Sequence, residues 1–211
     1  MISIVDYGMG NLGSILNMFK RIGVDAQIVN TRSDISKSEK LLLPGVGAFD
    51  AAMERINSMK FTEILERKVL LEKTPILGIC LGMQLLTKKS EEGQLPGLGY
   101  ISANTIRFDS EPNLKIPHMG WNETEIMKIS PLTSGIDQVS SFDNKARFYF
   151  VHSYKVLVER QENSILKSKY GTQVFDAGIQ EDNIYGVQFH PEKSHRFGFQ
   201  ILKNFAELKS C

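Results

Sequence analysis

Two short stretches hold side chains that can act together on a substrate. In 76-ILGICLGMQLL-86 a single internal cysteine, Cys80, stands between Gly78 and Gly82. In 186-GVQFHPE-192 a histidine, His190, is followed two residues later by Glu192. A thiol becomes a strong nucleophile when a neighbouring base takes its proton, and that base works best when a third group orients it. Cys80, His190 and Glu192 are those three types. G-x-C-x-G between an apolar run and a helical pattern has the form of a nucleophile elbow, a sharp turn that holds the reactive side chain at the tip of a sheet. Its glycines keep side chains out of the space where strand and helix nearly touch. The positive end of the following helix favours a thiolate, and the Leu81 N–H is placed to serve as an oxyanion donor. A blander reading stays open, because free cysteine is one of the most buried residue types. His190, at a strand end before Pro191, likewise fits a satisfied histidine at the sheet rim.

The remaining histidines divide. His152 lies inside 148-FYFVHSY-154 and reads as a packing or substrate-contact residue, whereas His118 and His195 read as surface or interface positions. A second motif, 8-GMGNLG-13, has the form of a dinucleotide fingerprint. That motif needs an acidic side chain at the end of the second strand to hold a ribose, and Val29-Asn30-Thr31 stand there instead. Its glycines are better explained by a tight turn at the strand's C-terminal edge. Bulk properties exclude several classes. A net charge of +1 gives no basis for binding nucleic acid or an anionic membrane. No apolar run reaches the length of a membrane span, and the first residues do not form a signal peptide. Two cysteines, one internal and one at position 211, suggest neither a disulfide framework nor a zinc site, and point to a reducing cytoplasm.

The elements that position these residues follow from periodicity. Residues 2–6, 26–29, 41–43 and 75–79 read as buried strands, separated by helical patterns over 12–21 and 48–71, the latter interrupted near Met59. Strand–helix alternation implies right-handed crossovers and a parallel sheet. The second half reads richer in strand, over 101–108, 148–154, 164–170, 175–180 and 185–189, with an antiparallel hairpin around Glu181-Asp182-Asn183 and a closing helix over 197–208. The expectation is one three-layer α/β domain over residues 1–211 with a mixed, mainly parallel central sheet, flavodoxin-like in architecture.

With these residues in view, the sequence resembles the class I (triad) glutamine amidotransferases. The resemblance rests on 6-DYGMGNL-12, 43-LPGVGAF-49, 78-GICLGMQLL-86, 117-PHMGWN-122, 150-FVHSY-154 and 186-GVQFHPEKS-194, in that order along essentially the whole chain. It implies Cys80 as nucleophile, His190 as acid and base, and Glu192 as orienter. It implies Gln84, His152, Ser153 and Tyr154 as contacts to a substrate glutamine, and Val46, Gly47 and Leu81 around the oxyanion hole. Many members carry a third glycine where this chain has Val46. Trp121, Asn122, Lys193 and, less directly, Asn11 match positions that meet a partner. Within the family the likeness is to glutaminase subunits that feed ammonia to a (β/α)8-barrel cyclase in histidine biosynthesis, as a heterodimer needing no metal or organic cofactor. The tail 190-HPEKSHRFGF-199, with His195-Arg196-Phe197, resembles instead a subgroup whose barrel amidinates surface-polysaccharide sugars, and the polar segment 137–147 aligns with neither group. The same triad would also serve a free-standing cysteine hydrolase, and the same fold a non-catalytic binding subunit.

Overall fold

The structure, a computed structural model, describes residues 1–139 and 145–208. Apolar runs in the first half form β1 (Ile2–Val5), β2 (Ala26–Val29), β3 (Lys40–Gly45) and β4 (Ile76–Cys80). The second half supplies β5 (Ala103–Arg107), β6 (His118–Ile126), β7 (Ala146–His152), β8 (Tyr154–Val158), β9 (Ser164–Tyr170), β10 (Gln173–Glu181) and β11 (Ile184–Val187). Among the described residues these make a nine-stranded sheet in the order β2-β1-β3-β4-β11-β10-β9-β6-β7, and β5 pairs separately with β8. Strands β2 through β11 in that order run parallel, and from β11 onward the pairings are antiparallel. The sheet is mixed, as expected, and its parallel half carries Cys80 at a strand's C-terminal end.

Helices α1 (Leu12–Ile22), α2 (Arg32–Ser36), α3 (Phe49–Ser58), α4 (Phe61–Glu66), α5 (Leu81–Leu85) and α6 (His195–Glu207) complete the fold. Side chains alternate across a strand, so one sheet feeds two cores. Ile2, Ile4, Leu42 and Leu77 pack with Ile15 and Phe19 of α1 and Ile201 and Phe205 of α6. Val5, Leu41, Leu43 and Ile76 pack on the other face with Phe49 and Ile56 of α3 and Phe61 and Leu65 of α4. Three layers result.

The helical pattern of residues 48–71 does break after α3. Lys60 takes a left-handed φ of 55°, and after α4 the last turn relaxes into a π-helix over Arg67–Leu71. The hairpin at Glu181-Asp182-Asn183 joins β10 to β11 antiparallel, with Asp182 at φ 51°. One element is not among the strands read from periodicity. The stretch around Trp121 is the nine-residue strand β6. Only His118 and Thr124 of that strand are buried, so it lacks the apolar alternation by which strands are recognised. Short α2 carries no helical signal in the sequence either, since Ile35 is its only buried residue.

Candidate active site

Strand β4 leads directly into Cys80, whose backbone sits at φ 54°, ψ −111° before α5 begins. A non-glycine residue at positive φ is strained by about 1–3 kcal/mol and persists only where its surroundings enforce it. Here the two glycines do so. A Cβ on Gly82 would lie 1.8 Å from the Leu43 carbonyl oxygen, and one on Gly78 would lie 2.6 Å from the Gly82 carbonyl oxygen. Strand, turn and helix therefore touch through bare backbone. Because α5 has only five residues, its dipole adds little at Cys80. The sulfur is in reach of Gln188 Nε2 at 3.8 Å and the Val151 carbonyl at 3.9 Å. Gln188 is fully buried on the chain just past β11. Nothing in the sequence singles it out, because an amide between Val187 and Phe189 carries no distinguishing pattern.

His190 is delivered by the next turn of chain. Beyond β11 the backbone docks on the open edge of β7: His190 N–H donates to the Tyr149 carbonyl at 2.9 Å, and Tyr149 N–H donates to Ser194 Oγ at 3.0 Å. Ser194 Oγ–H in turn donates to the His190 carbonyl at 2.7 Å, closing the short 3₁₀ turn Pro191–Lys193. Within this clasp His190 Nδ1 lies 2.8 Å from Glu192 Oε1, and both side chains are almost fully buried. Burial opposes a charge on the imidazole, but the Cys80 sulfur and the Glu192 carboxylate outweigh it and raise the His190 pKa to about 10. Among the described residues Nε2 itself has no partner in hydrogen-bonding geometry, and neither has Glu192 Oε2. The expected three residues are thus gathered at one place.

They open on a cavity of about 350 Å³ lined by Val46, Gly47, Leu81, Gln84, Glu92, Pro117, Val151–Tyr154 and Lys193, besides Cys80 and His190. Every substrate and oxyanion residue expected from the sequence is on this wall. Gln84 is buried and donates through Nε2 to Gln188 Oε1 at 3.2 Å and to the Tyr154 carbonyl at 3.4 Å. Glu92 was not anticipated, since it falls in an irregular segment. Its carboxylate accepts from the Phe49 N–H at 3.1 Å, and burial raises its pKa against that bond. A larger hollow of about 750 Å³ lies at the opposite ends of β4 and β11, beside Pro75 and Asn183, and among the described residues has no cysteine or histidine in its wall.

Residues 3–208 match the glutamine amidotransferase class-I family. The chain belongs to that family. Among curated relatives of this amidotransferase, the protein named imidazole glycerol phosphate synthase subunit HisH 2 of Methanococcus maripaludis is 51% identical over 205 residues, covering 97% of this chain and 98% of its own length. HisH 2 of Pseudomonas aeruginosa is 46% identical over 208 residues, covering 99% and 100%, and HisH 1 of Campylobacter jejuni is 47% identical over 209 residues with the same coverage. Solved structures share the fold at lower identity. A glutamine amidotransferase aligns at 16% identity with a TM-score of 0.71, covering 98% of each chain. Another, from Thermotoga maritima, aligns at 17% identity and 0.61, covering 97% of this chain and 81% of that one.

On the amidotransferase surface next to the pocket, Trp121 and Lys193 come together around Tyr149. Lys193 Nζ lies 5.5 Å from the Tyr149 ring centroid, Trp121 meets that ring edge-on at 6.2 Å, and the exposed His195 stacks on Trp121 at 5.3 Å. Asn11 is exposed and is the N-cap of α1. One expectation is corrected. His118 is not a surface residue but is buried, with its ring stacked at 4.1 Å on Tyr170. Asn122 is half-buried, and its side chain bonds His118 and the Lys169 carbonyl.

Proposed function

We propose that the chain is the glutaminase subunit of an imidazole glycerol phosphate synthase and hydrolyses L-glutamine through a Cys80 thioester. The observation that carries this is the buried His190–Glu192 pair, whose unpartnered Nε2 is beside Cys80 at the mouth of an amino-acid-sized pocket. Cys80 sulfur bonds to the carboxamide carbon of glutamine, and the oxyanion takes up backbone donors from Leu81 and the Val46–Gly47 loop. Protonated His190 gives its proton to the nitrogen, the C–N bond breaks and ammonia leaves. Water then attacks the γ-glutamyl thioester while His190 takes its proton, and the S–C bond breaks to release glutamate. Glu192 keeps the imidazole oriented throughout. The carboxylate of Glu92 suits the α-ammonium group of the substrate, and the Ser153–Tyr154 backbone with Gln84 suits its polar end.

Ammonia is protonated in bulk water, so its use favours a sealed interface with a second protein. The cluster of Trp121, Tyr149 and Lys193 beside the pocket suits a (β/α)8-barrel cyclase, with Lys193 meeting an acid. His195, stacked on Trp121 beside Lys193, belongs to the tail that resembles the sugar-amidinating subgroup. This favours a second reading, the same glutaminase serving a paralogous barrel that amidinates a surface sugar. The loop also carries a restraint. Turning a backbone N–H of 44-PGVG-47 into the oxyanion hole is easy for glycine and resisted by the β-branched Val46. Strain of about 1–3 kcal/mol corresponds to roughly 5- to 150-fold in rate. Steady-state glutamine hydrolysis by the lone chain, with each candidate barrel and with the acceptor of each pathway, tests all of this. The expected result is slow turnover alone, stimulation by one barrel with its acceptor, and a higher basal rate in Val46→Gly. Full turnover by the lone chain would rule out the gating.

A further inference from the structure

Behind the substrate wall runs a line of hydrogen bonds whose direction is fixed at both ends. At the outer end Asn122 Oδ1 accepts from the Glu123 N–H at 2.8 Å, and its Nδ2 donates to the Lys169 carbonyl at 2.8 Å. These two backbone groups leave the amide no freedom to flip. The Nδ2 group also reaches His118 Nε2 at 3.2 Å, so that nitrogen must accept and the proton of His118 must be on Nδ1. His118 Nδ1 stands 2.9 Å from His152 Nε2, which must in turn accept. His152 Nδ1 stands 2.7 Å from the Tyr154 carbonyl, which can only accept, so it carries the proton. Worked from either end, the line gives the same polarity. Both rings are the Nδ1–H tautomer, the minor form of free histidine in water.

The rings cannot turn to escape this. His118 is stacked between Tyr170 at 4.1 Å and Phe150 at 4.9 Å, and His152 is wedged against Phe108 and Phe175, each at 5.2 Å. At the inner end the Tyr154 carbonyl also takes the Gln84 amide, Gln84 meets Gln188, and Gln188 faces the Cys80 sulfur. Burial holds both imidazoles neutral, with pKa values pushed down to about 4 for His118 and about 3 for His152.

We propose that Asn122 is a positioning residue for the glutamine pocket: acting through His118 and His152, it sets the Tyr154 carbonyl and the Gln84 amide against which substrate is bound. This rests on the glutaminase assignment of the Cys80 site. It also gives Asn122, which lies one residue from the exposed Trp121, a job that sequence position alone would assign to the surface. The hydrogen-bonded line connects strand β6 to the pocket wall, which His152 and Tyr154 line.

Two measurements on the full chain test it. In imidazole ¹⁵N–¹H spectra, with the two rings identified by His118→Phe and His152→Phe, both must carry a single proton on Nδ1. Glutamine protection of Cys80 against iodoacetamide then measures substrate binding without turnover. In Asn122→Ala the half-protecting glutamine concentration rises about fivefold to tenfold, the worth of one lost hydrogen bond in a buried site. The unprotected alkylation rate stays within about twofold of wild type. An Nε2–H form in either ring, unchanged protection, or a fall in alkylation as large as the change in protection would overturn the proposal. If glutamine fails to protect even the wild-type chain, the glutaminase assignment falls, while the imidazole spectra still decide the polarity of the line.

Discussion

His190 and His152 share the wall of one pocket and both are buried, yet their imidazoles are driven in opposite directions. Burial disfavours the charged ring in each case. His190 has an acid at 2.8 Å and a thiol beside it, and is pushed up to about 10. His152 has a carbonyl and a second imidazole, and falls to about 3. Partners, not depth, decide which ring holds a proton. The difference suits two jobs. A ring that moves a proton needs acidic neighbours, and a ring that only transmits geometry is safest neutral, with each nitrogen committed to one bond.

Removing the proton-moving ring should cost most. His190→Ala takes away both thiol activation and leaving-group protonation, and should reduce kcat for glutamine by about 10⁴-fold or more. His152→Ala should act mainly on KM. A kcat loss of equal size in both would erase the distinction between the two rings. Glu192→Gln keeps the shape and removes the charge, so it should cost less, on the order of 10²- to 10⁴-fold. It should also bring the His190 pKa down from about 10 as burial takes over, read by imidazole NMR titration.

Stability should change less than turnover, and with opposite sign in the two clusters. Unfolded histidine titrates near 6.5, while folded His118 and His152 titrate at about 4 and about 3. Between pH ~6.5 and about 3 the unfolded chain therefore binds more protons, and stability falls as the pH falls through that window. His190 behaves in the opposite way. Its folded pKa is raised, so its contribution is complete below ~6.5 and is lost as the pH rises toward about 10. Denaturant midpoints measured against pH should show both limbs, and His118→Gln should flatten only the acid one. An acid limb unchanged by that substitution would contradict the assignment.

How much of this the sequence disclosed depended on the kind of signal each residue carries. Cys80 was legible because its glycines mark the turn, and His190 with Glu192 because proline and spacing fix a rim position. The parallel strands were legible from continuous apolar runs such as 41-LLL-43. Strand β6 was not, since its outward face is Met119, Trp121 and Glu123, and nothing alternates. Gln188 and Glu92 were not, because their roles arise from what lies across from them in space, Cys80 in one case and the Phe49 N–H in the other. The burial of His118 was hidden for the same reason: it comes from Tyr170 and Phe150, far away in sequence.

Everything proposed for the pocket depends on Cys80 alone forming the covalent intermediate. The sharpest check is to treat the full chain with an electrophilic glutamine analogue, followed by intact-mass analysis and peptide mapping. One adduct per chain is expected, on Cys80, suppressed by excess glutamine and absent from Cys80→Ala, which should also hydrolyse no glutamine. An adduct elsewhere, or glutamate formation by Cys80→Ala at the wild-type rate, would contradict it.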